Sequence, residues 1–358
     1  MKIIKQNVGI DVDSKELKVC FKKMLEDLSI KTIGSRTFKN TNSGLLEMDE
    51  WIEKKKIAKL SVHITMEATG VYYENAAYFF TDQDSYEVHV VLGNKSNAYF
   101  KSLNLKSKTD KIDAGGLAQM GLERQIEVWQ PISSQMLVLK KLNRERLRLT
   151  REKTMVMNQL HAEQASYKPS SEIASRYNDR IDFLKNQIAI VEKSLKNKIS
   201  LDKELKAKID LVCTIKGVGF ITAIGIISEF NGFILFKNRN QVVSFSGYDV
   251  IRKESGTSIQ GKTKMSKKGN SYVRQMMYMA AMSAAIHDEH HKNYYTRIVD
   301  KTGLKMKASV AIQRKLLLLI YTIFKNEVKY DPLHYLKVQD HLNRNEEVNQ
   351  EEQRRKVA

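Results

Sequence analysis

Four acids stand where strands and a helix could deliver them to one point. Asp11 closes an apolar run in V-G-I-D-V, Glu67 follows another in I-T-M-E-A-T-G, and Asp110 and Asp113 lie three apart in K-T-D-K-I-D-A. A spacing of three puts the last two on one helical face, about one turn apart. Carboxylates gathered in one place repel each other and take up protons unless cations separate them. Two Mg²⁺ ions, which prefer oxygen ligands, would remove the conflict. Held about 4 Å apart they can bracket a scissile phosphate, activating the nucleophile and stabilising the leaving oxygen. Each acid also has an ordinary reading: a strand-end Asp is often a turn residue, and Asp110 suits an N-cap or first-turn charge. Asp13 competes with Asp11, whereas Asp82 and Asp84 read as loop acids.

A second constellation lies further along. In VCTIKGVGFITAIGII (212–227), Gly217 and Gly219 separate two apolar stretches, the pattern of a helix-hairpin-helix turn whose amides can hold a phosphate. Any tight helix–helix turn uses glycine in the same way. Downstream, Ser255, Thr257 and Ser258 precede Lys262, Lys264, Lys267, Lys268 and Arg274, and then a strongly apolar helix. A serine in this basic setting could attack DNA phosphorus, with the cations offsetting transition-state charge. No His or Asp base sits beside it, and a loop that grips phosphates accounts for the same residues. Lys267, Lys268 and Arg274 are candidate phosphate contacts, Arg274 alternatively a residue that caps or packs the following helix.

The elements that must position these groups follow from periodicity. NVGIDV, LKVCFKK and KTIGSRTF read as three strands, residues 43–56 as a helix with Leu45, Leu46, Met48, Trp51 and Ile52 on its apolar stripe. LSVHITM is the next strand, a helix runs from about Val71 to Phe80, EVHVVLG is a fifth strand, and TDKIDAGGLAQMGLER begins another helix. Three strands, helix, strand, helix, strand, helix is the order of a ribonuclease H-like (RuvC-like) α/β domain, which makes the first and fourth strands neighbours. We assign this domain to 1–130. From 131 to 209 glycine vanishes and long helices take over; Leu139, Leu142, Leu149 and Val156 make a packing seam, and Pro169 marks the turn of an antiparallel hairpin or coiled coil. Its first arm carries Lys140, Lys141, Arg144, Arg146, Arg148, Arg151 and Lys153 against Glu145 and Glu152, an imbalance suited to nucleic-acid backbone. Residues 210–335 form a largely helical third region and 336–358 a polar tail.

The bulk properties agree. The chain has 358 residues, enough for more than one core, and a net charge of +19 that attracts polyanions such as nucleic acid. No stretch approaches the ~20 apolar residues of a membrane span, and no signal-peptide core opens the chain, so the expected location is cytoplasmic. Cys20 and Cys213 are too few and too far apart for a zinc site, and both are expected as buried free thiols.

Taken in order, V-G-I-D, M-E-A-T-G, K-T-D-K-I-D-A, the K-G-V-G turn, F-S-G-Y, E-S-G and M-S-K-K-G-N-S-Y-V-R resemble the DEDD-type transposases of the insertion-sequence-110 family, from about Val8 to Pro332. The resemblance implies that Asp11, Glu67, Asp110 and Asp113 bind metal and that Ser255 is a catalytic serine, joined covalently to a cut DNA strand with Mg²⁺ assistance. It also implies donor and target DNA, a bridge RNA that pairs with both, and a homo-oligomer, dimeric or built from dimers, joined through the middle helices. Lys216 replaces the family's usual proline before Gly217, and Ser246-Gly247-Tyr248 its A-G-L. Two other functions share parts of this pattern: a junction-resolving nuclease needs the acids but no serine, and a non-catalytic nucleic-acid-binding protein needs neither.

Overall fold

A computed structural model describes residues 2–104, 109–252, 254–255, 259–261 and 263–333; of Glu254, Ser255, Ile259 and Gln260 it describes the backbone alone. Thr257, Ser258, Lys262 and the tail 336–358 therefore lie outside the described residues. Two compact units divide the chain, Met1–Pro131 and Ile132–Ala358.

The first unit contains β1 (Ile3–Val12), β2 (Glu16–Leu25), β3 (Ile30–Lys39), α1 (Asn42–Glu53), β4 (Val62–Glu67), α2 (Glu74–Thr81), β5 (Tyr86–Val91), α3 (Gly93–Ser102) and α4 (Asp110–Glu123). The sheet order is β3-β2-β1-β4-β5, with β1, β4 and β5 parallel and β2 antiparallel to both its neighbours. This is the expected ribonuclease H-like arrangement, and β1 and β4 are adjacent. One addition was not legible: α3 intervenes between β5 and the helix that carries the paired aspartates. Its sequence, GNKSNAYFKS, has no apolar stripe to announce a helix. The helix expected from Val71 begins only at Glu74, because Val71 and Tyr72 are exposed in the preceding turn.

Alternation along the central strands separates two faces. Val8, Ile10 and Val12 of β1 join Ile64 and Met66 of β4 in a core closed by Leu45, Met48 and Ile52 of α1 and Ala76, Ala77 and Phe80 of α2. The opposite face presents Asn7, Gly9 and Asp11, and α4 packs on it. Here glycine is obligatory: a Cβ on Gly9 would lie 2.1 Å from the Ala114 carbonyl oxygen and 2.2 Å from the Ala118 nitrogen. The run of small residues in D-A-G-G-L-A thus lets α4 lie directly against β1. Asn7 fastens the contact, donating from Nδ2 to the Ala118 carbonyl at 2.7 Å.

The second unit contains α5 (Ser134–Gln164), α6 (Ser171–Ser200), α7 (Lys203–Val212), α8 (Phe220–Glu229), α9 (Arg239–Ser246), β6 (Val250–Ile251), β7 (Glu254–Ser255), β8 (Ile259–Gln260), β9 (Lys264–Met265), α10 (Ser271–His287), α11 (Glu289–Thr302) and α12 (Lys305–Asn326). Ser133 and Ser170 cap α5 and α6 through their hydroxyls, and Pro169 lies in the turn between them. The expected seam divides in two. Val156 packs with Ile181 and Leu184 in a small core private to the hairpin, joined by half-buried Leu149. Leu139 instead belongs to the large helical core, with Leu147, Leu195, Ile199, Ile224 and Ile320, and Leu142 packs against it. The base of the hairpin is therefore built into the helices that follow. Both cysteines are free thiols; Cys20 is buried and Cys213 only half-buried, its thiol pushed up to about 11 by burial and then by Asp210. Among the described residues, no helix is long and apolar enough to cross a membrane.

Candidate active site: a carboxylate cluster at the strand ends

Asp11 is the last residue but one of β1 and Glu67 ends β4, and the register, with Ile10 opposite Met66, puts both on the sheet face that α4 covers. Thr109 caps α4, accepting from the Ile112 amide at 3.3 Å, so Asp110 and Asp113 occupy its first turn. Carboxylates there are favoured by the helix dipole. Close seating of α4 on Gly9 holds that turn near Asp11. The consequence is electrostatic: the Asp11 carboxyl is pushed up to about 6, first by burial and then by the charges of Asp110, Asp113 and Glu67.

Glu67 is set by the helix that sequence patterning missed. Its Oε2 accepts from Ser96 Oγ at 2.5 Å, and a Cβ on Gly93 would fall 2.6 Å from Oε1. Gly93 and Ser96 are thus positioning residues; a glycine opening a helix with serine three residues on was the available signal. Lys18 was also missed. It lies opposite Asp11 in the β1–β2 register, salt-bridges Glu16 at 2.6 Å, and is held cationic first by that partner and further by Asp110 and Asp11. Lys18, Arg36 and Lys111, together with Asp110, line a cleft of about 520 Å³ next to the acids.

The competing acids have other employment. Asp13 is exposed in the turn after β1, where its carboxylate accepts from the Lys15 amide at 3.3 Å; hydrogen bonds from the turn lower its pKa. Asp82 ends α2 and, like Asp84, is exposed.

Asp11, whose carboxyl is raised in part by the charges of Asp110, Asp113 and Glu67, stands among oxygen donors of the kind hard divalent cations prefer. Among the described residues, however, the acids are not gathered into a trio with ligand atoms within 4.8 Å of one another; the trio that meets that distance is His63, Glu87 and His89.

The Asp11 shift has a measurable sign. A carboxyl raised from its usual value near 4 binds its proton more tightly in the folded chain than in the unfolded one. In metal-free protein, ionising Asp11 should therefore lower stability as pH rises from about 4 to about 6, with no further loss from this group above that window. Carboxyl NMR should place its midpoint near 6, Asp110→Asn should lower it, and added Mg²⁺ should lower it further. A midpoint near 4 in all three samples would mean that the acids do not interact.

The comparisons with known proteins fall in line with these motifs. Residues 8–169 match a family described as a DEDD transposase of the IS110 type, and residues 209–296 match the transposase IS116/IS110/IS902 family. The chain belongs to the IS110 family of transposases. As such it is a DNA-recombining enzyme. Over 328 residues this transposase is 25% identical to the pilin gene-inverting proteins of Moraxella bovis and Moraxella lacunata, covering 91% of this chain and 98% of each relative. A Thermus thermophilus RuvC structure aligns with 35% of this chain and 99% of its own, at 9% identity and a TM-score of 0.27.

In the second unit of the transposase, the backbone of Ser255 lies in β7, paired with Ile259 of β8. The excursion that carries it leaves the helices through β6 and returns through β9, which pair with each other. Its base is interlocked: a Cβ on Gly269 would lie 2.4 Å from the Gly247 nitrogen, and Gly247 itself has φ of +71°. Arg274, on the first turn of α10, clamps this junction, donating from Nη1 to the Ser246 carbonyl at 2.8 Å and the Gly269 carbonyl at 3.1 Å. Lys267 and Lys268 are exposed.

The remaining candidates divide between surface and scaffold. Lys141, Arg148 and Arg151 are exposed on α5 and Lys140 is half-buried; Arg148 pairs with Glu145 and Arg151 with Gln275. Arg144 is structural: its Nε and Nη2 meet Glu229 Oε1 and Oε2 at 2.7 and 2.9 Å, and the guanidinium lies 4.4 Å from the Tyr272 ring centroid. Gly217, at φ +94°, is required by packing, because a Cβ would fall 2.7 Å from the Ala280 oxygen and the Ala284 nitrogen of α10. Gly219 caps α8 with open space around it.

Proposed function

We propose that this transposase breaks and rejoins DNA through a covalent phosphoserine at Ser255, with divalent cations held by Asp11, Glu67, Asp110 and Asp113. The observation that carries the metal assignment is geometric: Asp11 and Glu67 share the sheet face that α4 covers, and Asp110 and Asp113 lie in the first turn of that helix, while the raised Asp11 carboxyl, due first to burial and then to these three acids, agrees with it. Mg²⁺, when bound, would polarise the scissile phosphate and stabilise the leaving oxygen. Ser96 and Gly93 orient Glu67, while Lys18, Arg36 and Lys111 offer cationic contacts for the strand that crosses the cleft.

The chemistry of rejoining supports a covalent route. Gene inversion, for which the pilin-inverting relatives are described, must reseal every strand it cuts. In such a step the Ser255 hydroxyl loses its proton and forms a bond to phosphorus, while the bond from phosphorus to the sugar oxygen breaks and that oxygen is protonated. One phosphate ester replaces another, so resealing needs no external energy source. We assign this cleavage to the sheet domain 1–130 together with the serine region 210–335.

Exposed Lys141, Arg148 and Arg151 make α5, within 131–209, the nucleic-acid-facing arm, with Lys267 and Lys268 nearer the serine. Met155, Met157, Phe183 and Ile190 are exposed apolar residues on the same hairpin, and they support homo-oligomer formation through it. The bridge RNA rests on the ordered family motifs. The deciding experiment incubates the full chain with Mg²⁺, donor and target DNA and transcripts of the flanking non-coding DNA, then denatures it in detergent. The expected product is a protein–DNA adduct that mass spectrometry maps to the Ser255 peptide. Cleaved DNA with free ends and unmodified Ser255 would replace this reading with a junction-resolving nuclease.

A further inference from the structure

The sheet face that ends in the acids carries a different donor set at its other end. His63 of β4 lies directly opposite Glu87 of β5, and His89 is two residues further along, so period-2 alternation puts all three on one face. His63 Nδ1 is 3.0 Å from His89 Nε2 and 3.6 Å from Glu87 Oε2, and the three ligand atoms lie within 4.8 Å of one another. His89 is buried, and its Nδ1 is 3.1 Å from the Glu127 carbonyl oxygen. A carbonyl only accepts, so this Nδ1 carries the proton and Nε2 keeps a lone pair aimed at His63. An imidazole fixed by a backbone carbonyl behind it is the usual arrangement of a metal-ligating histidine.

We propose that His63, Glu87 and His89 form a second cation site, separate from the acid cluster, for a nitrogen-preferring ion of the Zn²⁺ type. Bonds of 2.0–2.1 Å to a tetrahedral ion set ligand atoms about 3.3 Å apart, close to the separations of 3.0 and 3.6 Å found here. Two imidazoles and one carboxylate suit Zn²⁺ and are a poor match for Mg²⁺, which demands oxygen. Without the ion, a proton on His63 Nδ1 bridges to His89 Nε2. With it, His63 carries that proton on Nε2 instead, both imidazoles remain neutral, and none is released. Lys5 is the nearby opposing charge; its Nζ is engaged by the Gly121 carbonyl at 2.6 Å, and Glu87 faces it with the opposite sign. His63 precedes Glu67 by four residues, about 13 Å along a strand, so one ion cannot serve both sites.

The location gives the site a task. β5 is the edge of the sheet, and the segment leaving α4 runs beside it, with the Trp129 amide donating to the Val88 carbonyl at 2.7 Å and the Trp129 ring edge-on to Tyr78 at 5.1 Å. An ion on His89, itself bonded to Glu127, fastens that segment to an edge that would otherwise be open.

The test uses the full chain bearing Asp11→Asn and Asp110→Asn, so that the acid cluster takes no part, stripped with a chelator and titrated with Zn²⁺ or Co²⁺. We expect one equivalent to bind, with the visible absorption of tetrahedral Co²⁺, no competition from millimolar Mg²⁺, and a higher melting temperature with Zn²⁺. His63→Ala and His89→Ala should each weaken binding by at least about 100-fold, since even the outer partners of a metal site are worth about 10–100-fold. In the unsubstituted histidine background, ¹⁵N NMR should show the His63 proton move from Nδ1 to Nε2 on adding Zn²⁺. This readout holds even where the alanine variants fold poorly. Equal binding in parent and variants, or a His63 tautomer indifferent to Zn²⁺, would reduce the trio to a hydrogen-bonded histidine pair.

Discussion

Asp11→Asn should reduce DNA cleavage by at least about 10²–10³-fold, the cost of losing one preorganised electrostatic group at a reacting centre. Asparagine keeps the shape of the side chain and removes a charge that three neighbours oppose. Metal-free protein should therefore melt no lower than the parent in the presence of chelator, and slightly higher above pH 6. DNA binding, which rests on the basic residues, should persist. Ser255→Ala gives the complementary result on the proposed mechanism: metal and DNA still bind, no covalent adduct forms, and strand exchange stops. If Ser255→Ala left exchange intact while Asp11→Asn abolished it, the acids would be a nuclease centre working with water. If both variants kept full activity, neither group would belong to the reaction.

The second large effect is on stability, and its origin is an ion pair between residues 85 apart. Glu229 is fully buried at its side chain and is held by the Arg144 fork and by Asn270 Nδ2 at 2.7 Å. Arg144→Met should strand that carboxylate, at a cost near the lower end of the roughly 3–5 kcal/mol for breaking a buried pair, because Arg144 is itself about a third exposed. For a unit of this size that is a fall in melting temperature of roughly 6–12 °C. Adding Glu229→Gln should restore most of it, since the amide leaves no buried charge and can still bond Asn270. Thermal melts of the single and double variants measure the pair directly. A single variant that melts with the parent would show that water reaches Glu229.

Both the strength and the limits of sequence reading are visible in these residues. The acids were legible because strand-end position and i, i+3 spacing are local properties. The placement of Asp11 and Glu67 on one sheet face depended on β1 lying beside β4, and element order alone implied that. Helix α3 was invisible because only Ala98, Tyr99 and Phe100 interrupt its polar residues, so the support of Glu67 by Ser96 was hidden with it. Arg144 looked like one more cation on a basic arm, since nothing near it in the chain points to Glu229. Gly217 read as a phosphate-binding turn, whereas its backbone meets α10, more than 60 residues later. His63, Glu87 and His89 pass as ordinary strand residues until the register between β4 and β5 is known.

The division of the α5–α6 seam has a consequence for how relatives of this protein can vary. Beyond the base, the hairpin is stabilised by contacts between its own two arms, with Val156, Ile181 and Leu184 at the centre and the turn at Pro169 closing the end. Matched insertions or deletions of seven residues in each arm, about 10 Å of rise, would preserve facing side chains and leave the root untouched. The length of the hairpin can thus be reset without disturbing the helical core at its base.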